Sequence, residues 1–146
     1  MFYKGKKHML TTEQIDKFFN EYEADFSALD IEKNAELFAD NFISAGPKGT
    51  IAQSKADFKA KGKQAAEFYR KVGQTSARII SKQEKPVTDQ YTMVTVHWGV
   101  TFEKTGDELN EFDVTYIIQE TEAEPKIILF ITHQDEEEMM KKLGAQ

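Results

Sequence analysis

The sequence contains no cysteine among its 146 residues. This absence excludes disulfide bonds, a thiolate nucleophile and cysteine-based zinc sites, and because it is compatible with a reducing compartment we expect a cytoplasmic protein. No apolar run approaches the roughly 18 residues that a membrane-spanning helix requires, so we expect no membrane partner. Basic residues are also scarce, 19 against 25 acidic ones, and the net charge of -6 disfavours binding to nucleic-acid phosphates.

The residues that are present indicate one globular domain. The sequence is 40% hydrophobic and 30% charged, which is typical of globular proteins. We therefore expect a single domain over residues 1–146. Residues 1–10 are expected to form a flexible leader rather than a secretory signal, since they lack the apolar core that such a signal has. Residues 135–146 are expected to form an acidic C-terminal tail.

The first half of the chain predicts three helices. A capping box at Thr11 starts the first one, a short helix follows Asp30, and a long helix starts after Ser54 and ends before Gly73. The apolar arc of the first helix consists of Ile15, Phe18, Phe19, Tyr22, Phe26 and Leu29. Because Tyr22 lies near the middle of this arc, its hydroxyl points inward, where it either bonds within the core or contacts a ligand.

The long helix carries lysines on two of its sides. Lys55, Lys59 and Lys63 lie nearly opposite its apolar stripe, and we expect a solvated face there. Lys61 instead falls on the apolar side. Its stem either extends to water or places a cation at the mouth of a pocket.

The second half of the chain predicts antiparallel strands joined by short turns. In residues 91–102 the apolar side chains recur at every second position, which is typical of a strand. One face carries Val94, Val96, Trp98, Val100 and Phe102. The other face carries Met93, Thr95, His97 and Thr101. Helices followed by strands predict an α+β domain with a curved sheet, and a sheet face without a helical cover is expected to pair with a second copy in a homodimer.

The order of these elements, and the segment FFNEYEADFSALDIEKNAELFAD in particular, resemble the nuclear transport factor 2-like superfamily. This superfamily includes ketosteroid isomerases, SnoaL-like polyketide cyclases and many uncharacterised members. The resemblance runs from about Ile15 to His133, and its most specific parts are the D-x-x-x-x-x-x-L-F-A-D run, the EFY at residues 67–69 and the DV pair at residues 113–114. It implies a cone-shaped curved sheet, antiparallel or mixed, with N-terminal helices and one long helix packed across its concave face, around a pocket.

The resemblance also implies roles for particular residues. Tyr22 corresponds to the oxyanion-hole tyrosine of ketosteroid isomerases, and Asp113 corresponds to their neutral aspartic acid, which donates a hydrogen bond to developing charge. The position of their catalytic base is Gly46, which has no proton acceptor, so steroid isomerisation is not expected. His97 and His133 are the other candidate bases, because an imidazole titrates near neutrality; each is otherwise an ordinary core or surface residue.

The favoured hypothesis is a noncatalytic domain whose apolar pocket binds a small hydrophobic or aromatic molecule. The predicted ligand-binding residues are Phe18, Tyr22, Phe26, Phe68, Tyr69, His97, Asp113 and His133. One alternative is an isomerase, dehydratase or cyclase that polarises a carbonyl with Tyr22 and Asp113, and another is a dimeric protein-interaction module. We expect no cofactor, and a metal site between His97, Asp113 and His133 is disfavoured because the sequence has no recognisable ligand motif. The pocket hypotheses require Tyr22 and Asp113 to face the same cavity.

Overall fold

The computed structural model describes residues 10–121, 123–135, 138–139 and 141–142. Most of the predicted leader and part of the predicted tail therefore lie outside the described residues. The helices in this part of the chain are α1 (Thr12–Ser27), α2 (Ile31–Ala35) and α3 (Lys55–Val72), with a short 3-10 turn at Glu103–Thr105. The strands are β1 (Phe38–Gly46), β2 (Gly49–Ser54), β3 (Gln74–Thr88), β4 (Tyr91–Phe102), β5 (Asn110–Gln119) and β6 (Lys126–Thr132).

Helices α1 and α3 begin where the sequence predicts, whereas the short helix that the sequence predicts over residues 31–40 ends at Ala35, since Phe38 begins β1. At the start of α1, the Thr11 hydroxyl accepts a hydrogen bond from the Gln14 backbone at 3.1 Å, and the Gln14 side chain accepts one from the Thr11 backbone at 2.9 Å. Ser54 caps α3 in the same way, and α3 ends at Gly73, whose φ of 84° is strained for any residue with a Cβ. None of the helices in the described ranges is long and apolar enough to cross a membrane.

The six strands form one mixed sheet in the order β2-β1-β6-β5-β4-β3. Neighbouring strands are antiparallel, except that β1 and β6 run parallel. The pairing of β3 with β4 shifts register in three places, and such bulges bend and twist a sheet. The predicted α+β fold with a mixed sheet is confirmed.

The core lies between the helices and one face of this sheet, which we call the inner face. The apolar side chains of β4 are buried there; Val94, Val96 and Trp98 have no exposed surface. The indole nitrogen of Trp98 donates a hydrogen bond to the Tyr116 hydroxyl at 3.1 Å. Because Trp98 is also packed against the helices, truncating it to alanine would cost about 3–5 kcal/mol. The alternation along β4 places His97 on the opposite, outer face.

Candidate functional site

A cleft lies between α3 and the inner face of the sheet, and it has two parts. The deeper part, which we call the inner chamber, has a volume of about 190 Å³. The wider part, which we call the outer chamber, has a volume of about 630 Å³ and opens beside the turn between β1 and β2. Both chambers are lined by Phe58, Gly62, Ala65, Phe130 and Thr132. Since they share these walls, a single elongated molecule could occupy both.

Aromatic rings form most of the wall of the inner chamber. The rings that line it belong to Tyr22, Phe26, Phe58, Tyr69, Trp98, Phe112, Tyr116 and Phe130. The ring of Tyr22 lies 5.5 Å from that of Trp98 and 5.3 Å from that of Tyr116, measured between centroids. Such spacings are typical of favourable aromatic contacts, so these walls are packed against each other even without a ligand.

One polar side chain of the inner chamber has an unmet hydrogen bond. Asn34 lies on α2 and is 6% exposed. Its amide nitrogen Nδ2 is buried, and no hydrogen-bond partner for it is found among the described residues. A buried donor without a partner costs about 1–3 kcal/mol, so a native structure that retains one calls for an explanation. An acceptor atom of a ligand would remove this cost.

The position of Asn34 follows from the capping of its short helix. The Asp30 carboxylate accepts a hydrogen bond from the Lys33 backbone at 3.2 Å, and the Asp30 carbonyl accepts one from the Asn34 backbone at 3.0 Å. These bonds fix α2 across the end of the cleft. Sequence analysis missed Asn34, because an asparagine in a five-residue helix is usually a surface residue.

The outer chamber contains a second polar atom without a partner. Gln53, on β2, is 8% exposed, and its carbonyl oxygen Oε1 is buried with no hydrogen-bond donor among the described residues. Lys61 lines the same chamber from α3 and is exposed. Lys48 and Asp135 line it as well and pair with each other at 3.3 Å. The outer chamber therefore combines an unsatisfied acceptor with Lys61 and with an ion pair.

Ion pairs join α2 to α3 along the far side of the cleft. Glu32 accepts from Lys63 at 2.8 Å and from Lys59 at 3.2 Å. The hydrogen bonds from Lys63 and Lys59 hold the pKa of Glu32 below its ordinary value. In addition, Arg70 donates to the carbonyl of Leu29 at 3.2 Å. Lys55, Lys59 and Lys63 are therefore paired with acidic residues rather than only solvated. The pairs with Glu32 connect α3 to α2, the helix that carries Asn34.

The position that corresponds to the catalytic base of ketosteroid isomerases has no side chain and little room for one in this chain. Gly46 lies at the end of β1 and lines the outer chamber. A Cβ at this position would lie 2.5 Å from the Thr132 hydroxyl oxygen, a distance at which the two atoms collide. Thr132 itself donates to the carbonyl of Ala45 at 3.4 Å. A side chain at residue 46 would require the Thr132 side chain to shift.

Three of the predicted site residues lie on the outer face of the sheet, so the expectation of a cavity shared with Tyr22 is wrong for them. Phe112 and Val114 line the inner chamber, and Asp113 between them points to the opposite face because successive side chains of a strand alternate. Asp113 pairs there with Nδ1 of His97 at 2.7 Å. His133 lies on the same face, where its Nε2 is 2.8 Å from the Thr115 hydroxyl.

His97, on β4, lies between two carboxylates of the neighbouring strand β5. Its Nε2 lies 2.7 Å from a carboxylate oxygen of Glu111, and its Nδ1 is equally close to Asp113. The hydrogen bonds to Glu111 and then to Asp113 raise the pKa of His97 above its ordinary value of 6.5. In the part of the chain that the structure describes, no group of three histidine or acidic residues is arranged to hold a metal ion.

The predicted aromatic residues divide between the cleft and the core. Tyr22, Phe26 and Tyr69 line the inner chamber, as predicted. Phe18 is not among the lining residues; it packs edge to face against Phe19, with 5.1 Å between ring centroids. Phe68 packs in a second core cluster, away from the chamber wall. A helix presents its apolar residues over a broad arc, and only part of that arc faces the cleft.

Several solved structures with the same fold are described as proteins of unknown function. An NTF2-like protein of unknown function from Shewanella oneidensis is 12% identical, over 84% of this chain and 98% of its own, with a TM-score of 0.70. A domain of unknown function with a cystatin-like fold from Nostoc punctiforme is 14% identical, over 93% and 88% of the two chains, with a TM-score of 0.69. A proposed scytalone dehydratase from Novosphingobium aromaticivorans is 14% identical, over 82% and 80%, with a TM-score of 0.65. At such identities the likeness shows the fold alone.

The sequence itself matches one family. No curated protein matches it significantly. A family model described as NTF2-like protein, DUF6841, matches residues 12–135. This match confirms the resemblance to the nuclear transport factor 2-like superfamily. The chain belongs to the NTF2-like family DUF6841.

Proposed function

We propose that the chain binds a small, mostly apolar molecule that carries a hydrogen-bond acceptor, with the acceptor placed at Nδ2 of Asn34. The observation that carries the proposal is this buried amide nitrogen, which has no partner among the described residues and belongs to a residue that lines an aromatic chamber. Ligand pockets are typically apolar with a few polar groups that orient the ligand. Asn34 is such a group.

The size and lining of the inner chamber favour an aromatic ketone or a similar compound. A volume of about 190 Å³ is below the range of about 300–1,000 Å³ found for drug-sized ligands, so the chamber suits one ring with a short substituent. The surrounding rings would contact a ligand ring face to edge or offset, which adds to the burial of apolar area. A carbonyl oxygen would then accept the free N–H of Asn34.

Binding is favoured over acid-base catalysis by the positions of the titratable groups. General acid-base catalysis requires a proton acceptor within hydrogen-bond reach of the substrate. The candidates His97, Asp113 and His133 lie on the outer face of the sheet, behind the chamber wall. The described residues that line the inner chamber include neither a carboxylate nor an imidazole.

Acetophenone and ethylbenzene test the proposal, because they differ mainly by the carbonyl oxygen. Calorimetric titration of the wild type and of Asn34→Leu gives four dissociation constants. The affinity for acetophenone relative to ethylbenzene is expected to fall about fivefold or more in the variant, since a ligand acceptor then loses its buried donor. Asn20→Leu, at an exposed site on α1, is the control and should leave the ratio unchanged. An unchanged ratio in Asn34→Leu, or no binding of either compound, would contradict the proposal.

We also propose that the outer face of the sheet joins two copies of the chain in a homodimer. Large apolar side chains on this face are exposed, among them Ile80 at 45%, Leu109 at 43% and Ile131 at 40%. Exposed apolar patches often mark association surfaces, and a two-fold axis lets one patch cover its own copy. Sedimentation velocity should show a dimer at micromolar concentration and a monomer for Ile131→Lys. A wild-type monomer would refute the dimer, and recovery of a different protein in pull-downs would support the interaction-module alternative.

A cytoplasmic location is the last part of the proposal. Its support is the cysteine-free sequence, which is compatible with a reducing compartment. Cell fractionation should recover the protein with cytoplasmic markers, and its recovery with secreted or membrane-bound material would contradict this part.

A further inference from the structure

The cleft continues beyond the inner chamber into a region with polar groups of its own. The two chambers share five lining residues, so a ligand ring in the inner chamber would have its substituent directed to the outer one. There the substituent would meet Lys61 and Gln53. These groups therefore bear on the chemistry of the outer end of the ligand.

Lys61 differs from the other lysines in the first half of α3. Lys59 and Lys63 both pair with Glu32, and Lys55 lies within 4 Å of two acidic side chains. Lys61 is turned to the outer chamber and has no acidic partner among the described residues. An unpaired cation beside a cavity favours an anionic group.

Gln53 supplies a second, independent observation. Its side chain is more than nine-tenths buried, and its carbonyl oxygen has no donor within the described ranges. An unmet acceptor in a cavity wall favours a ligand hydroxyl or N–H, in the same way that Asn34 favours a carbonyl. The cleft thus offers a donor at its deep end and, toward its opening, an acceptor and a positive charge.

Resting on the proposed function, we infer that the ligand is an aromatic carboxylic acid of elongated shape, with a ketone or similar acceptor near its ring. The ring and its acceptor occupy the inner chamber at Asn34, and the carboxylate pairs with Lys61. A hydroxyl or N–H next to the carboxylate donates to Gln53. Lys48 also lines the outer chamber, but it pairs with Asp135 at 3.3 Å, so Lys61 is left to match a single charge. A carboxylate is therefore favoured over a phosphate, since phosphate sites usually combine several donors.

The probe for this inference is γ-benzoylbutyrate, which carries a phenyl ketone at one end and a carboxylate at the other. Its methyl ester is the neutral match. Calorimetry at low ionic strength, where screening is weak, should show that the wild type binds the acid about two- to fivefold more tightly than the ester. Lys61→Gln should remove this preference and Lys61→Arg should keep it. Lys71→Gln, which makes the same charge change on an exposed site of α3, should also keep it.

The outcomes separate this inference from the proposed function. Equal binding of acid and ester, with both still weakened by Asn34→Leu, overturns the anionic ligand and leaves the proposed function standing. Equal losses in Lys61→Gln and Lys71→Gln overturn the pairing with Lys61, because they show only the general effect of charge. Failure of both compounds to bind overturns the inference together with the proposed function.

The contribution of Gln53 is tested with α-hydroxy-γ-benzoylbutyrate. The added hydroxyl should tighten binding to the wild type relative to γ-benzoylbutyrate, and Gln53→Met should remove that gain while it still binds the parent acid. Methionine keeps the length of the side chain without an acceptor of comparable strength. A hydroxyl that brings no gain in the wild type overturns the assignment of Gln53.

Discussion

Replacing Asn34 with leucine is expected to make the free protein more stable while it removes the preference for a ketone. Leucine has the same number of non-hydrogen side-chain atoms as asparagine and carries no polar atom. Asn34 is 6% exposed, and its Nδ2 has no partner among the described residues, so the wild type bears the desolvation cost of an unmet donor. The substitution removes that cost and replaces a polar group with an apolar one beside aromatic rings.

The expected gain can be estimated from this geometry. An unsatisfied buried donor costs about 1–3 kcal/mol, and leucine adds a few tenths of a kcal/mol of helix propensity over asparagine, which gives a total of about 1–3 kcal/mol. For a domain of about 150 residues this raises Tm by about 2–4 °C per kcal/mol. Asn20→Leu on α1 gains only the helix-propensity part and serves as the control for it.

The assay is equilibrium unfolding in urea, in parallel with the acetophenone titration. Asn34→Leu should unfold at a higher urea concentration than both the wild type and Asn20→Leu, with an unchanged slope. An asparagine with only a structural role behaves in the opposite way, since its loss would break bonds that hold the fold. A variant less stable than the wild type by about 1 kcal/mol or more would refute the claim that Nδ2 of Asn34 is an unsatisfied donor in the free protein.

Two further predictions concern the outer face and the contact between α2 and α3. Glu111 and Asp113 raise the pKa of His97 above 6.5, so the folded state favours protonated His97. The stability that protonated His97 contributes is fully present below pH 6.5 and is lost as the pH rises through the raised pKa. NMR titration of His97 should show that raised pKa. An unshifted pKa in the folded protein would contradict the hydrogen bonds from His97 to Glu111 and Asp113. A Cβ at Gly62 would lie 2.8 Å from Cγ2 of Ile31, so Gly62→Ala should destabilise the folded protein by about 1–3 kcal/mol through overpacking. The higher helix propensity of alanine offsets about 1 kcal/mol of this loss. In an Ile31→Ala background Gly62→Ala should instead be stabilising, and a double-mutant cycle by urea unfolding that shows no coupling would refute the close contact.

The fold could be predicted from the sequence because its signals are local and repeated. The capping box at Thr11, the αL glycine at Gly73 and the alternation along β4 each depend on a few neighbouring residues, and all three occur in the structure. The helical period placed Lys61 on the apolar side of α3 and left open whether it reaches water or a pocket; in the structure it is exposed and also lines the outer chamber. These patterns fix which elements form and which face of each is buried.

The site could be predicted only in part, because it depends on which strand face meets the helices. The resemblance assigned Asp113 to the cavity, yet the alternation along β5 gives that face to Phe112 and Val114. A difference of one residue in a strand moves a side chain to the other face of the sheet. Asn34 could not be recognised from the sequence, since its unmet donor is a property of the packed structure and a polar residue on a short helix is usually exposed.

Heteronuclear NMR of the side-chain amide of Asn34 tests the central claim most directly. The signal can be assigned by its absence from Asn34→Leu and followed during titration with acetophenone and with ethylbenzene. A hydrogen bond from Nδ2 to the ketone predicts a downfield shift of an amide proton with acetophenone and little shift with ethylbenzene. The acetophenone shift should be half-maximal at a free ligand concentration equal to the calorimetric Kd. An amide signal that stays in place while acetophenone binds, or that moves equally with both compounds, would contradict the assignment of Asn34 as the group that receives the ligand.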